Sequence, residues 1–299
     1  NAYDDSSSIY YENTQDVLTL RNAAVRGDLH CNIPQLSRII RLFISSTFKD
    51  MSAERDKIMH IIYPKLEQHC ASKGYVLQIV DMRWGIFESV ANEQATTDIC
   101  LNEIRLAKDL SNGPFFITIL SHRYGSKFPP RIISHHDFSR LLEQCDADNE
   151  KLLCKWYDID ENNVPPVYYL KPLEDKTLKW EWKKSDSKLV SEVLSDHAKG
   201  IKLNEDQLMS YTRSVTELEI QEGIFNTKDR DFRCLAFFRT INIFDQIQSS
   251  KVPLDPLKRF KTFVDMDSEK NEVELTNQQM MRNLKERIKK TLRPKNVTD

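Results

Sequence analysis

The chain has 299 residues, of which 40% are hydrophobic and 29% charged, and its formal net charge at pH 7 is −2. This composition is typical of a folded globular protein and excludes a disordered or fibrous one. The balanced charge lacks the basic excess of nucleic-acid-binding domains, and the longest apolar run, residues 115–120, is far shorter than the roughly 20 residues of a membrane span. We therefore expect neither a nucleic-acid partner nor a membrane span.

Six cysteines are spread along the chain without any close pair, and they are Cys31, Cys70, Cys100, Cys145, Cys154 and Cys234. Metal and redox sites usually need close Cys or Cys/His pairs, and the only close histidines are His135 and His136. Adjacent side chains point in different directions on a helix or strand, so we expect no metal site. Free thiols and the lack of an opening signal-like stretch predict a cytoplasmic protein. Because the chain begins with Asn1 rather than Met, we expect a segment of a longer protein.

Residues 1–38 are predicted to form an N-terminal arm with one weakly amphipathic helix, and residues 39–245 the main domain. The domain opens with a short apolar run, residues 39–44, that three hydroxyl residues follow. Such a run predicts a buried strand and then a turn.

A helix is predicted next, from Met51 to Lys73, with Asp50 or Ser52 as its cap and a kink at Pro64. Its apolar stripe consists of Ile58, Ile61, Ile62 and Leu66. Strands of one sheet are predicted at residues 39–45, 75–80, 114–120 and 233–239, with 39–45 and 114–120 at its centre. Continuous apolar strands that alternate with amphipathic helices predict an α/β fold, a mainly parallel sheet with helices on both faces.

Two segments depart from this alternation. Residues 127–203 hold three of the four tryptophans and several short amphipathic pieces, which predict a helical insertion at the sheet's edge. After a helix around residues 206–225 and the last strand, residues 246–299 are predicted to be a C-terminal connector that docks on the sheet domain or on a following module. Its helix starts with a capping box, Thr276 and Gln279. The apolar stripe of that helix consists of Met281, Leu284, Ile288 and Leu292.

Several blocks of the sequence resemble a known family. They are Phe43-Ile44-Ser45-Ser46-Thr47-Phe48-x-Asp50-Met51-x-Ala53-Glu54-Arg55-Asp56, Asp81-Met82-Arg83-Trp84-Gly85-Ile86, Cys100-Leu101-x-Glu103-Ile104, Arg123-Tyr124-Gly125 and Trp156-Tyr157-x-x-Asp160-Glu161-Asn162-x-Val164-Pro165-Pro166. In the same order, similar blocks occur in the uncharacterised domain that precedes the NACHT NTPase in NACHT and WD-repeat proteins. Relatives of that domain occur in telomerase-associated WD-repeat proteins, nephrocystin-type proteins and bacterial defence genes.

The resemblance implies a flavodoxin-like, Toll/interleukin-receptor-like (TIR-like) sheet at the N-terminus of a signalling NTPase of the STAND class. It also implies a role in signalling or innate immunity, with NACHT and WD-repeat modules downstream in the same chain. No G-x-x-x-x-G-K-S/T loop occurs in the sequence, so this segment is not itself the NTPase.

A ligand cleft is predicted where the first three strands end, because ligands of open parallel sheets bind at the carboxyl edge. The residues expected there are Ser45, Ser46, Thr47, Asp81, Arg83, Trp84, Ser121, Arg123 and Tyr124. Hydroxyl and backbone N–H groups suit phosphate, and arginine binds it through two parallel hydrogen bonds. One hypothesis is a cleft for NAD or another nucleotide. The alternative is that Asp81 or Glu54 pairs with an arginine to hold the loops, while Trp84 belongs to the core.

Candidate catalytic carboxylates lie in the block Ser214-Val215-Thr216-Glu217-Leu218-Glu219-Ile220, with Glu219 as first choice and Glu217 as second. In TIR-like NAD-cleaving domains and nucleoside deoxyribosyltransferases, a glutamate that opens the corresponding helix acts on the ribosyl carbon, and the resemblance implies that role here. An N-glycosidic bond breaks through an oxocarbenium-like state that a carboxylate stabilises. Two alternatives stay open: a capping box of Thr216 and Glu219, and a helix that begins near Asn204 and places both glutamates in its middle.

Two functions follow from these patterns. The sequence favours a signalling domain that acts through protein partners or self-association into a homo-oligomer, since the insertion and the Gly-poor loops predict a cleft filled by its own side chains. The alternative is an NAD(P) or nucleotide glycohydrolase that oligomerisation activates, which predicts Glu219 exposed at the cleft beside Ser46 and Arg123.

Overall fold

The computed structural model describes residues 38–83, 93–173, 176–241, 261–267 and 272–299. Trp84 and residues 1–37 of the predicted arm lie outside the described residues. Ile39–Asp299 form one compact unit.

Strands and helices alternate in the first part of this unit. They are β1 (Ile39–Ser45), α1 (Ser52–Lys57), α2 (Tyr63–Ser72), β2 (Val76–Val80), α3 (Glu93–Leu110) and β3 (Phe116–Leu120). A π-helical turn, Ile58–Ile62, joins α1 to α2 directly before Pro64. Because a proline ring clashes with the carbonyl four residues earlier, the wider turn lets the helix pass Pro64. The predicted kink therefore takes the form of a π turn.

The start of this helix differs from the sequence prediction. Met51 occupies the N-cap position without a side-chain hydrogen bond, so the prediction that Asp50 or Ser52 caps the helix was wrong. The Asp50 carboxylate instead accepts a hydrogen bond from the hydroxyl of Thr47. Asp50 therefore makes a hydrogen bond within the turn and does not cap the helix.

The apolar stripe of this helix is largely uncovered. Ile61, Ile62 and Leu66 are 50%, 44% and 41% exposed, and Ile58 packs beside a small cluster that contains Ile44. A helical pattern in the sequence therefore identified an apolar face, but that face is not a core face.

The insertion combines helices with a second sheet. Its elements are β4 (Ile132–Ser134), α4 (His135–Leu142), α5 (Ala147–Trp156), β5 (Tyr157–Asp160), β6 (Val167–Leu170), α6 (Lys176–Glu181) and α7 (Ser187–Ala198). The three strands pair antiparallel in the order β4-β6-β5. Trp156 and Trp182 meet edge to face in a separate core, with ring centroids 4.8 Å apart. The sequence predicted only helices in the insertion. Its three strands were not predicted, because they are short and lack a clear alternation of apolar and polar residues.

The last part of the unit returns to the parallel sheet. It contains α8 (Glu205–Thr212), α9 (Val215–Ile220), α10 (Arg230–Arg233), β7 (Cys234–Phe238), β8 (Met266–Asp267), β9 (Glu272–Val273), α11 (Leu275–Thr291) and β10 (Val297–Thr298). A π-helical turn, Gln221–Phe225, extends α9. Asn204 and Gln207 form a capping box on α8, and Ser214 caps α9. The helix predicted around residues 206–225 is therefore two helices with a break at Arg213 and Ser214.

Five strands form the main sheet in the order β10-β7-β3-β1-β2, and every neighbouring pair is parallel. This is the flavodoxin-like order 2-1-3-4-5. Phe43 of β1 pairs with Val80 of β2 and Phe116 of β3, and its ring stacks on Phe116 at 6.0 Å. The predicted fold class, and the inner positions of β1 and β3, are confirmed.

Helix α11 packs on this sheet. Met281, Leu284 and Ile288 belong to its core, and the strand β10 that follows the helix extends the sheet beside β7. The predicted capping box of Thr276 and Gln279 was wrong, because α11 begins after Glu274 without a side-chain cap.

That residues 246–299 lead towards a NACHT module stays a prediction. In the parts of the chain that the structure describes, no helix has the length and apolarity needed to cross a membrane.

Candidate functional site

A cavity of about 470 Å³ lies at the carboxyl edge of the main sheet, where the loops after β1, β2 and β3 meet the start of α9. Five of the predicted site residues line it, and they are Ser46, Thr47, Arg83, Arg123 and Glu219. Several further lining residues were not predicted to belong to the site, among them Phe48, Cys100, Phe128 and Thr216. The size is that of a small-molecule site, since ligand pockets typically measure about 300–1,000 Å³.

Glu219 reaches the cavity because α9 lies close against the sheet. A Cβ on Gly223 would come within 2.4 Å of the Phe116 ring, so only glycine permits this approach. Ser214 begins the helix by accepting a hydrogen bond from the Glu217 backbone N–H at 3.2 Å. The proposed Thr216–Glu219 capping box is absent, and α9 starts late enough to place both glutamates near its N-terminus.

The carboxylate of Glu219 is buried, and two hydrogen bonds hold its orientation. The Ser45 hydroxyl donates to its Oε2 at 2.6 Å, and the Cys100 thiol also donates to it. Burial raises the pKa of Glu219, although these hydrogen bonds and the positive charge of Arg55 act in the opposite direction. Burial thus favours the protonated acid, whereas the two hydrogen bonds and Arg55 favour the anion.

Glu217 points away from the cavity and into a structural network. It is 2% exposed, accepts a hydrogen bond from the Tyr124 hydroxyl, and pairs with Arg287 of α11 at 2.8 Å. Tyr124 is itself fully buried. These contacts connect α9 to the loop after β3 and to α11. Of the two candidate carboxylates, Glu217 therefore belongs to a structural network and Glu219 to the cavity wall.

Arg55 is a central residue that sequence reasoning missed. Its guanidinium is buried and donates to Asp81 at 2.5 Å, to the Ser46 hydroxyl at 2.6 Å, and to the carbonyl oxygens of Ile44 and Ser46. Burial lowers the pKa of Arg55, and the negative charges of Asp81 and Glu219 oppose that effect. An arginine in the first turn of a helix has no pattern that signals burial, so only its place in the family-like block could have drawn attention to it.

The loop-holding alternative accounts for several predicted residues. Asp81 pairs with Arg55 and also with Arg83, whose Nη2 lies 3.0 Å from its Oδ2. Glu54 pairs with Arg239 at 2.5 Å. Ser121 accepts from Arg239 at 3.2 Å and does not line the cavity.

The loop after β3 carries a second charged arrangement. The Asp265 carboxylate lies 3.1 Å from the Arg123 guanidinium and accepts hydrogen bonds from the backbone N–H groups of Tyr124 at 2.7 Å and Gly125 at 3.3 Å. Gly125 has φ +98°, and a Cβ there would meet Thr47 at 3.0 Å. Glycine is needed because this backbone conformation strains other residues. Asp265 was not a candidate in the sequence, since about 140 residues separate it from Arg123.

The walls of the cavity thus carry one buried carboxylate, five hydroxyl side chains and two paired arginines. Such a site suits a polar ligand that develops positive charge near Glu219. Among the described residues, no group of three or more His, Cys, Asp and Glu side chains is placed to hold a metal ion. Five cysteines are free thiols, namely Cys70, Cys100, Cys145, Cys154 and Cys234, while Cys31 lies outside the described residues.

Comparisons with known proteins place these residues among relatives. Residues 41–144 match the family described as "Domain of unknown function (DUF4062)". The chain is 28% identical over 196 residues to NACHT domain- and WD repeat-containing protein 1 of Mus musculus, covering 64% of this chain and 12% of that protein. It is 33% identical over 159 residues to NACHT and WD repeat domain-containing protein 2 of Homo sapiens, covering 51% and 9%. None of the solved structures matches the chain.

A shorter match extends to Telomerase protein component 1 of Mus musculus, with 40% identity over 88 residues, which is 29% of this chain and 3% of that protein. The chain thus spans about a tenth of the NACHT and WD repeat relatives it matches. From residue 41 to residue 144 the chain carries a DUF4062 domain, and over part of its length it is homologous to NACHT and WD repeat-containing proteins.

Proposed function

We propose that this TIR-like domain of a NACHT-type protein binds a nucleotide in the cavity and cleaves its N-glycosidic bond, with Glu219 as the catalytic carboxylate. The observation that carries the proposal is the position of Glu219. It lines the same cavity as Ser46 and Arg123, although at 6% exposed it is more buried than the catalytic alternative predicted. The preference for a pure interaction domain rested on a cleft filled by its own side chains, and a cavity of about 470 Å³ weakens that premise.

The chemistry follows from the surroundings of the carboxylate. As the N-glycosidic bond breaks, the base leaves with the bonding electron pair and positive charge develops on the ribosyl carbon, where an anion held close lowers the barrier. Water then forms a bond to that carbon and releases a proton, which completes the hydrolysis. Glu219 is held by Ser45 at 2.6 Å, so it need not reorganise when charge develops. Its burial strengthens the interaction, because charges attract more strongly where water is excluded.

The other cavity walls suit the remaining parts of a nucleotide. Phe48 is 42% exposed and, with Phe128, offers an aromatic surface for a base. Ser46 and Thr216 supply hydroxyls for ribose oxygens, and Arg123 supplies positive charge. NAD is our first candidate substrate because its nicotinamide is a good leaving group on a ribosyl carbon, and other nucleotides share the same recognition chemistry.

The test compares Glu219→Gln with Glu217→Gln on the same chain, clustered on beads because the proposed activity depends on assembly. Gln keeps the size of the side chain and removes the anion, so Glu219→Gln should lower the rate of nicotinamide release from NAD by a hundredfold or more. Glu217→Gln changes the same residue type on the same helix but outside the cavity, and should retain turnover in proportion to folded protein. Equal rates in wild type and Glu219→Gln would reject the proposal.

A second candidate, self-association through an interaction surface, is favoured by the uncovered stripe of Ile61, Ile62 and Leu66. Contiguous exposed apolar side chains often mark protein contacts. Ile61→Glu combined with Leu66→Glu should shift the mass measured by analytical ultracentrifugation towards the monomer and leave the melting temperature nearly unchanged. Glu substitutions at the separate exposed residues Leu189 and Leu275 serve as the control. An unchanged sedimentation profile would remove this surface from consideration.

A further inference from the structure

The carboxylate of Asp265 occupies a place that has the chemistry of a phosphate site. The loop after β3 presents three donors to it, namely the Arg123 guanidinium and the consecutive backbone N–H groups of Tyr124 and Gly125. Converging backbone N–H groups and a guanidinium are the usual ligands of phosphate oxygens. A phosphate has more acceptor oxygens than a carboxylate and a larger charge, so the same donors suit it at least as well.

The position of this site connects two cavities. Arg123 and Gly125 line the cavity that contains Glu219, and they also line a second cavity of about 380 Å³. The second cavity carries Lys127 together with Lys184 and Lys188 of the insertion, and also the carboxylates of Glu192, Asp265 and Glu274. Lys188 pairs with Glu192 at 3.6 Å, so Lys127 and Lys184 are the lysines that can add positive charge near the loop. Their presence is an observation independent of the Asp265 contacts, and it favours the same class of ligand.

The segment that carries Asp265 is attached at its backbone as well. Glu274 donates its N–H to the Asp265 carbonyl oxygen at 3.0 Å, and the neighbouring Val264 is fully buried. The Asp265 side chain, which is 11% exposed, is therefore held in the site by its position directly before β8, which pairs with β9. A ligand phosphate must displace the carboxylate to reach the three donors.

We infer that Arg123 and the backbone N–H groups of Tyr124 and Gly125 form the phosphate subsite of the nucleotide cleft, and that Asp265 is a built-in competitor that closes it. The inference rests on the proposed function for the identity of the ligand as a nucleotide with a diphosphate. Anion binding itself does not need catalysis. The subsite predicts that the domain accepts a ligand only when the binding free energy exceeds the cost of releasing Asp265.

The experiment measures binding of inorganic pyrophosphate by isothermal titration calorimetry. Asp265→Asn retains a hydrogen-bond acceptor for the loop but removes the competing charge, and it should bind pyrophosphate at least tenfold more tightly than wild type. Asp231→Asn is the matched control, because Asp231 also accepts from a backbone N–H and pairs with an arginine, Arg293, but lies outside both cavities. It should bind like wild type. Adding Arg123→Gln to Asp265→Asn should abolish the gain.

Two results would overturn the inference: unchanged affinity in a folded Asp265→Asn protein, or a gain that survives Arg123→Gln. If Asp265→Asn does not fold, Asp265→Ser serves the same comparison, and wild type alone remains informative. A wild-type chain whose melting temperature rises with pyrophosphate in an Arg123-dependent way supports the subsite, and one that shows no such rise at saturating pyrophosphate contradicts it.

The same proteins separate this inference from the proposed function. Glu219→Gln should leave pyrophosphate binding dependent on Arg123, since Glu219 is not among the three donors of the subsite. Absence of nicotinamide release from the clustered wild-type chain would reject the glycohydrolase and leave the phosphate subsite standing. If nicotinamide release depends on Glu219 but pyrophosphate binding is the same with and without Asp265→Asn, the glycohydrolase is supported and the phosphate subsite is rejected.

Discussion

The sheet domain and its insertion differ in where they keep their charges. At the carboxyl edge of the main sheet, Arg55, Asp81 and Glu219 are all buried beside the cavity. The core of the insertion is built from large apolar rings such as Trp156 and Trp182, and its ion pairs lie nearer the surface. Buried charge costs free energy unless it is paired, so an arrangement that keeps several such groups together is expected where a ligand is handled. This difference supports the sheet edge as the place of the proposed function, with the insertion as the more conventional core.

Removing one charge from each region should give the largest contrast. Arg55→Met leaves Asp81 and two carbonyl oxygens without their buried donor, and should lower the free energy of unfolding by about 3–5 kcal/mol. Lys155 bridges Glu181 and Asp186 in the insertion with a side chain that is 42% exposed. Lys155→Met should therefore cost less than about 1 kcal/mol. Urea unfolding of both variants measures the two values, and similar losses would remove the distinction between the regions.

A pH titration sharpens the same comparison. Burial raises the pKa of Asp50 from 3.8 to about 6, with the Thr47 hydrogen bond opposing it. The folded state then holds a proton that the unfolded state releases, so stability falls as the pH rises from about 4 to about 6. The loss from this group is about 3 kcal/mol, since each pH unit corresponds to 1.36 kcal/mol. Asp50→Asn should flatten that part of the curve of unfolding free energy against pH.

Asp186 of the insertion should change stability with pH in the opposite direction to Asp50. Burial raises the pKa of Asp186, but hydrogen bonds from Lys155, Ser185 and Trp156 outweigh it and lower the pKa below its ordinary value of 3.8. Its contribution to stability is present above pH 3.8 and is lost as the pH falls through the lowered pKa. Asp186→Asn should therefore remove stability at neutral pH and little in strong acid. If the unfolding free energy of Asp50→Asn still falls between pH 4 and 6, Asp50 is not the group that causes the loss of stability in that range.

Much of the sheet could be predicted because its strands are continuous apolar runs. β1 and β3 were identified together with their inner positions, since a strand buried on both faces needs no alternation to be recognised. The strands of the insertion were missed because they are three or four residues long and carry polar residues among the apolar ones. The stripe of Ile61, Ile62 and Leu66 had a correct helical period, but periodicity does not tell whether another element covers the face.

The candidate site divides in the same way. The rule that ligands bind at the carboxyl edge of a parallel sheet brought Ser46, Arg83 and Arg123 together, and the structure places all three around one cavity. Arg55 and Asp265 could not be found by that rule. Their partners lie 26 and about 140 residues away in the chain, and such pairings depend on packing rather than on local sequence.

The smallest expected effect comes from two matched helix caps on either side of the boundary between the regions. Asn204 caps α8, whose Tyr211 belongs to the insertion core, and Ser214 caps α9, whose Ile220 belongs to the main core. Replacing either cap with alanine should cost about 1 kcal/mol, because each side chain satisfies one backbone N–H of a first helical turn. Equilibrium unfolding should therefore barely distinguish Asn204→Ala from Ser214→Ala.

Turnover should distinguish them. Only α9 carries Glu219, and the Ser214 cap sets where that helix begins, so a frayed first turn loosens the carboxylate that Ser45 holds. Small errors in the position of a catalytic group cost far more in rate than in stability. On clustered protein, Ser214→Ala should release nicotinamide more slowly than Asn204→Ala at equal folded concentration. If both caps lower the rate equally, the helix start does not position Glu219, and the contrast between a functional sheet edge and a supporting insertion fails at this boundary.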